Sequence, residues 1–122
     1  MWRDSLNFLS KLTFRRAYNA LGLVFSYVFS KISKNAINSF YPVAISFEPT
    51  TSCNLRCPEC PSGLRSFTRP TGMLDTRLFE STIDQIADYV MYMTFYFQGE
   101  PYLHKDFFKM VKYANSKKIY TA

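Results

Sequence analysis

The chain has 122 residues, 48% hydrophobic and 18% aromatic, a composition that excludes a disordered tail and fits one small globular domain. Its formal net charge is +6 at pH 7, and residues 1–40 hold most of it, with six basic side chains against one acidic side chain. These basic residues form no interleaved stripe and no nucleic-acid-binding motif, so we expect no nucleic-acid partner.

The first predicted element is an amphipathic helical extension over residues 1–40. Apolar side chains recur in it at steps of three and four, which places them in one stripe along a helix: Phe14, Tyr18, Leu21, Phe25, Val28 and Ile32. We expect this stripe to pack on the domain. Weak contact with a membrane surface or with a partner is the alternative, because the segment is basic and aromatic.

The same segment argues against a membrane-spanning helix and against secretion. The uncharged run between Arg16 and Lys31 is shorter than the roughly 20 apolar residues that a bilayer requires. Three unpaired thiols are unusual in a secreted protein. We therefore expect a cytoplasmic protein.

Residues 41–122 alternate between predicted strands and predicted helices. The predicted strands are residues 43–48, 91–97 and 118–122, with one helix beginning at an Asp75 N-cap and another near Phe107. This order predicts an α/β fold with a parallel sheet. Sites in such sheets form beyond the carboxyl ends of the strands. The long loop 49–74 and the loop 98–101 each follow a strand, so both should open at the same sheet edge.

All three cysteines lie in the first of these loops, as Cys53, Cys57 and Cys60 with the spacing C-x3-C-x2-C. Disulfides use cysteines in pairs and would leave one thiol over. A structural zinc site takes four ligands, and His104 is available as the fourth of a Cys3His site. An iron–sulfur cube is normally held by four thiolates, so three thiolates would leave one iron open to a substrate.

The cysteine spacing after a first strand, with Gly99-Glu100-Pro101 after a second strand, resembles the radical SAM (S-adenosylmethionine) superfamily over about residues 42–122. The segment SCNLRCPECPSG is similar to members that carry a C-terminal SPASM extension. The resemblance implies a partial (β/α)6 barrel, of which residues 41–122 would form the first two β/α units and the start of the third strand. We therefore expect an N-terminal fragment, inactive in isolation.

The resemblance also implies cofactors and roles. Cys53, Cys57 and Cys60 would bind a [4Fe-4S] cluster whose open iron takes SAM, and Gly99 and Glu100 would hold the SAM amino group. Reductive cleavage of SAM would yield a 5′-deoxyadenosyl radical that abstracts hydrogen from a peptide or protein substrate, with an electron donor as partner. A non-catalytic Cys3His zinc module is the alternative function.

Two positions depart from the family pattern. Glu59 stands before the third cysteine, where the family usually has an aromatic residue near the adenine, so another group must contact that base. Gln98 stands where the second loop usually has its first glycine.

Overall fold

A computed structural model describes residues 2–68 and 70–122. The elements in chain order are α1 (Trp2–Leu9), α2 (Phe14–Ser33), β1 (Ala44–Ser46), α3 (Thr76–Ile86), β2 (Tyr92–Thr94), a 3₁₀ turn (Pro101–Leu103), α4 (Phe107–Ser116) and β3 (Tyr120–Thr121). The three strands form one parallel sheet in the order β1-β2-β3. The predicted α/β fold with a parallel sheet is confirmed.

Local sequence sets the start of the two longest helices. The carboxylate of Asp75 accepts a hydrogen bond from the Leu78 backbone N–H at 2.9 Å and caps α3 as predicted. The Thr13 side chain caps α2 in the same way by accepting from the Arg16 N–H. Lys34 then ends α2 in the left-handed conformation, with φ of 58°.

The core lies where α3 and α4 pack on the sheet. Ile45 of β1 pairs with Met93 of β2. Met93 is fully buried among apolar side chains of both helices and of the segments that lead into the strands, namely Phe79, Ile83, Val90, Met110, Ala114 and Ile119. The ring of Phe79 stands edge-on to that of Phe47 at 4.9 Å, which joins α3 to the end of β1.

Several large apolar side chains of these elements lie outside the core. Leu78 of α3 is 60% exposed and Phe108 of α4 is 70% exposed. The aromatic residues 95–97 of the predicted strand are divided, because Phe95 is buried whereas Tyr96 is 60% exposed and Phe97 is 73% exposed. Strand β2 ends at Thr94, so the chain leaves the sheet before this group is complete.

The helical extension docks with the opposite face from the predicted one. All six residues of the apolar stripe from Phe14 to Ile32 are exposed, and the buried residues of α2 are Arg16, Asn19 and Gly22. The prediction that the stripe packs on the domain is therefore wrong. Among the described residues, no helix is long and apolar enough to span a membrane.

Arg16 fastens the extension to the ends of the other helices. Its guanidinium donates to the carbonyls of Lys11, Ala87, Lys117 and Lys118. Ala87 and Lys117 are the C-caps of α3 and α4, where a cation complements the helix dipoles. Because each of these helices leads into the next strand, the anchor lies at the amino-terminal edge of the sheet.

Candidate functional site

The two predicted loops meet at the carboxyl edge of the sheet. The Glu100 backbone N–H donates to the Ser52 carbonyl at 2.9 Å. The Cys60 sulfur lies 4.0 Å from the Gln98 carbonyl oxygen. The expectation that both loops open at one edge is confirmed by these contacts.

Gly99 makes this close approach feasible. A Cβ atom on Gly99 would lie 1.6 Å from the Thr50 carbonyl oxygen and 3.3 Å from the Ser52 carbonyl oxygen. Both are backbone atoms of the chain that leads into the cysteines, so they cannot give way as a flexible side chain would. The position therefore requires glycine for a packing reason.

A tight turn shapes the cysteine loop. The Cys60 N–H donates to the Cys57 carbonyl at 3.3 Å, and the Leu64 N–H donates to the Cys60 carbonyl at 2.9 Å. A Cβ atom on Gly63 would lie 2.4 Å from the Cys57 carbonyl oxygen. Glycine at this position lets the chain after the third cysteine fold back on the second.

All three cysteines are free thiols, with Cys57 exposed and Cys53 and Cys60 partly buried. Backbone N–H groups of Gly63, and then of Ser62, lower the pKa of the Cys60 thiol. These donors favour the thiolate, which is the form that ligates metals. The backbone around Cys60 thus favours the ionised form of this thiol.

The donor set fits an iron–sulfur cluster in residue type, since three thiols share one loop with access to solvent. Within residues 2–68 and 70–122, however, no group of three His, Cys, Asp or Glu side chains is gathered closely enough to hold a metal ion. The ligand assignment of Cys53, Cys57 and Cys60 therefore stays a prediction, and cluster binding would have to draw the thiols together.

The predicted SAM residues lie in the contact between the loops. Gly99 and Glu100 are both partly buried. The Glu100 carboxylate accepts from the Tyr102 N–H at 3.2 Å and caps the 3₁₀ turn. A carboxylate has about four acceptor positions, so this cap is compatible with a second contact to an ammonium group.

Sequence reasoning missed Glu48 as part of this site. Its carboxylate accepts a hydrogen bond from the Gly99 N–H at 3.2 Å and thereby ties the second loop to the end of β1. The available signal was an acidic residue directly after a strand of a parallel sheet, where sites form.

His104 does not join the cysteines. It is 4% exposed. Its Nδ1 accepts from the Asp106 N–H at 3.1 Å, which leaves Nε2 protonated to donate to the Leu74 carbonyl at 2.9 Å. A Cys3His zinc site would have to break one of these buried bonds.

Two exposed aromatic residues directly precede the second loop, whereas Glu59 stands at the position where the family usually has an aromatic residue. Glu59 is exposed. Tyr96 and Phe97, which follow β2 and precede Gln98, are 60% and 73% exposed. They are the exposed aromatic residues nearest in sequence to the second loop on its strand side.

Part of this chain is similar in sequence to curated proteins and in fold to a solved structure. No family model matches the chain. The mycofactocin maturase MftC of Mycobacterium ulcerans (strain Agy99) is 32% identical over 78 residues, which are 64% of this chain and 21% of that protein. The MftC of Mycobacterium tuberculosis (strain H37Rv) is likewise 32% identical over 78 residues, 19% of its length.

A solved structure has a similar fold. The crystal structure of BtrN in complex with AdoMet and 2-DOIA aligns with a TM-score of 0.60 and 25% sequence identity, over 70% of this chain and 35% of that chain. The chain spans about a fifth of the length of the curated relatives that it matches.

Proposed function

Because the chain belongs to the radical SAM superfamily, we propose that it carries the cluster-binding and SAM-binding loops of a radical SAM enzyme. The observation that supports this most is the junction of the cysteine loop with the Gly99-Glu100 loop at the carboxyl edge of a parallel sheet. We further propose that residues 41–122 are the first two β/α units and the start of the third strand of the radical SAM core, after a helical extension at residues 1–40.

Cys53, Cys57 and Cys60 are the proposed ligands. They would hold a [4Fe-4S] cluster, which when bound would supply the electron for reductive cleavage of SAM to methionine and a 5′-deoxyadenosyl radical that would abstract hydrogen from a substrate. The Cys60 thiolate is stabilised by the N–H groups of Gly63 and Ser62. The exposure of Cys57 leaves this loop accessible for cluster loading.

Glu100 and Gly99 are the proposed contacts to the SAM amino group. A carboxylate and backbone acceptors suit an ammonium donor. Glu48 is the positioning residue, because its bond to the Gly99 N–H holds the loop against β1. We expect Glu48→Ala to weaken SAM binding about tenfold, by loss of one hydrogen bond to a charged group, and Glu48→Gln to retain most of it because an amide oxygen still accepts.

Phe97 is the proposed side chain that contacts the adenine in place of a residue at Glu59. It is exposed immediately before the second loop, and an aromatic face stacks on a nucleobase with about 1–3 kcal/mol per base. Phe97→Ala should therefore weaken SAM binding by about tenfold, whereas Phe108→Ala, which removes an equally exposed ring from α4, should leave it unchanged. Isothermal titration of the cluster-loaded chain with SAM measures both.

The proposed substrate is a peptide or protein. The likeness of SCNLRCPECPSG to SPASM-bearing relatives supports this class, as does the 32% identity to proteins named as maturases. An external electron donor is the proposed redox partner, since reductive SAM cleavage consumes one electron.

The test is iron and acid-labile sulfide content after anaerobic reconstitution with excess iron and sulfide. We expect brown protein that contains both elements, and a clear loss of iron in each of Cys53→Ser, Cys57→Ser and Cys60→Ser. Glu59→Gln, a change in the same loop without loss of a thiol, is the matched control and should retain its iron.

Two results would contradict the proposal. Colourless protein that holds one zinc, lost in His104→Gln, would support the Cys3His alternative. Iron that remains in all three serine variants would show that the metal is bound elsewhere.

A further inference from the structure

The helical extension presents an apolar face that stays largely exposed in the described part of the chain. In α2 this outward face consists of Phe14, Tyr18, Leu21, Phe25, Val28 and Ile32, with exposed fractions between 46% and 86%. In α1, Trp2, Leu6 and Leu9 repeat the pattern, and each is more than half exposed. Contiguous apolar surface of this extent marks a docking site for a protein or a membrane.

Polar contacts on the inner side hold α2 in this rotation. Arg16 donates to four backbone carbonyls. Asn19 bonds the backbone of Tyr41 reciprocally, with both distances 2.9 Å. Gly22 lies so close to the Phe40 ring that a Cβ atom would overlap it. Rotation of α2 that turned the apolar stripe inward would break all of these contacts. The contacts that hold α2 on the domain therefore also keep the stripe exposed.

α1 is attached in a similar manner. Asp4 accepts from the Tyr120 hydroxyl at 2.6 Å, and the Phe8 ring stands edge-on to the Tyr120 ring at 5.6 Å. Lys11 donates to the Asn115 side chain at 3.2 Å. Both helices are therefore fastened to the domain by one side, with apolar residues on the other.

The shape of the face suits apolar chains. An open groove of about 670 Å³ runs between α2 and the segment that follows it. Phe25, Phe29 and Ile32 line its helix side, and Ile37 and Phe40 line the opposite side. Its lining is almost wholly apolar, so it offers few specific hydrogen-bonding groups to a polar peptide.

Charge complementarity identifies the occupant. Residues 1–40 carry six basic side chains and one acidic side chain. Arg16 is buried on the inner side and Arg15 pairs with Asp88, so the remaining positive charge comes from Arg3, Lys11, Lys31 and Lys34. The one acid, Asp4, is engaged by Tyr120. Aromatic and aliphatic residues on one side with a positive excess are the features of helices that lie in the plane of an anionic membrane. We propose that α1 and α2 bind the surface of an anionic lipid bilayer.

The location of the anchor keeps the cysteine loop accessible on the membrane. Arg16 holds the extension at the amino-terminal edge of the sheet, where α3 and α4 end. The cysteine loop opens at the carboxyl edge. The extension thus binds lipid at the end of the sheet remote from the loops.

Vesicle flotation of the 122-residue chain tests the proposal, with phosphatidylcholine vesicles prepared with and without phosphatidylglycerol. We expect binding to the anionic vesicles that falls as sodium chloride is raised. Leu21→Ser should weaken that binding about tenfold by removing a buried aliphatic contact. Arg3→Gln combined with Lys31→Gln should weaken it about 25-fold, from about a factor of five for each cation near an anionic surface.

Leu78→Ser is the matched control, because Leu78 and Leu21 are both 60% exposed and Leu78 lies on α3. It should float like the unchanged chain, and circular dichroism should show that all variants retain their helices. Absence of vesicle binding, equal binding to neutral vesicles, or equal losses in Leu21→Ser and Leu78→Ser would overturn the proposal. Self-association that sedimentation detects without lipid and that Leu21→Ser abolishes would assign the face to a second copy. The readout is lipid binding, so it does not depend on the proposed cluster.

Discussion

Replacing Arg16 with methionine should cost about 3–4 kcal/mol of the free energy of unfolding. Arg16 is 2% exposed, and burial lowers its pKa while nearby Asp88 raises it. Its guanidinium donates hydrogen bonds to four backbone carbonyls, which lie at the ends of α3 and α4 and in the α1–α2 turn. Each hydrogen bond to a carbonyl contributes about 1 kcal/mol net. The apolar methionine offsets a small part of this loss by burying its own side chain, which leaves the expected loss of about 3–4 kcal/mol from four such bonds.

Urea unfolding followed by circular dichroism measures this loss, and hydrogen exchange reports whether α2 is released before α3. The neighbouring Arg15 provides the matched control. It pairs with Asp88 at 2.5 Å, but the two side chains are 72% and 60% exposed, so Arg15→Gln should cost no more than about 1 kcal/mol. A loss in Arg16→Met as small as that in Arg15→Gln would refute the anchor, and so would unchanged exchange in α2.

Two further predictions concern the loop junction and the α3–α4 contact. Gly99→Ala should destabilise the chain by about 1–3 kcal/mol because its Cβ would overlap the Thr50 carbonyl. Gly72→Ala, with nothing within 4 Å of its Cβ, should change stability by less than about 0.5 kcal/mol in the same urea assay. Equal effects of the two substitutions would contradict the packing argument. Asp84 accepts from Lys117 and Tyr113, which lower the pKa of its carboxyl group. Its stabilising contribution is therefore present above the unfolded pKa and is lost as pH falls through the folded pKa, so Asp84→Asn should lower the thermal midpoint at pH 7 and have no effect below the folded pKa. A difference that persists in strong acid would argue against this ion pair.

The elements of the domain could be predicted because their signals are local. The Asp75 cap, the apolar periodicity after it and the alternation of strands with helices involve residues close together in the chain. Predicted boundaries were too generous, as residues 91–97 became the strand Tyr92–Thr94. Where a strand ends depends on how long its neighbour stays paired, and β1 pairs over only three residues.

The candidate site was predictable in outline and not in detail. The spacing of three cysteines is a local pattern, and parallel topology alone implied that the second loop joins them. Glu48 was missed because its role depends on the Gly99 N–H, 51 residues away. The exposure of Phe97 was missed because a run of aromatic residues does not indicate where the chain turns out of the sheet.

The amino-acid sequence by itself determined the parallel α/β order, the thiol-rich loop and the edge at which the loops open, because periodicity, caps and chain direction act over short distances. Only the tertiary structure decided which face of the extension is buried. Hydrophobic periodicity favoured burial of the apolar stripe. The carboxyl ends of α3 and α4, however, present backbone carbonyls that need a donor, which Arg16 provides and apolar side chains cannot. That preference arises from polar groups more than 70 residues away in the chain, and no pattern within α2 reveals it.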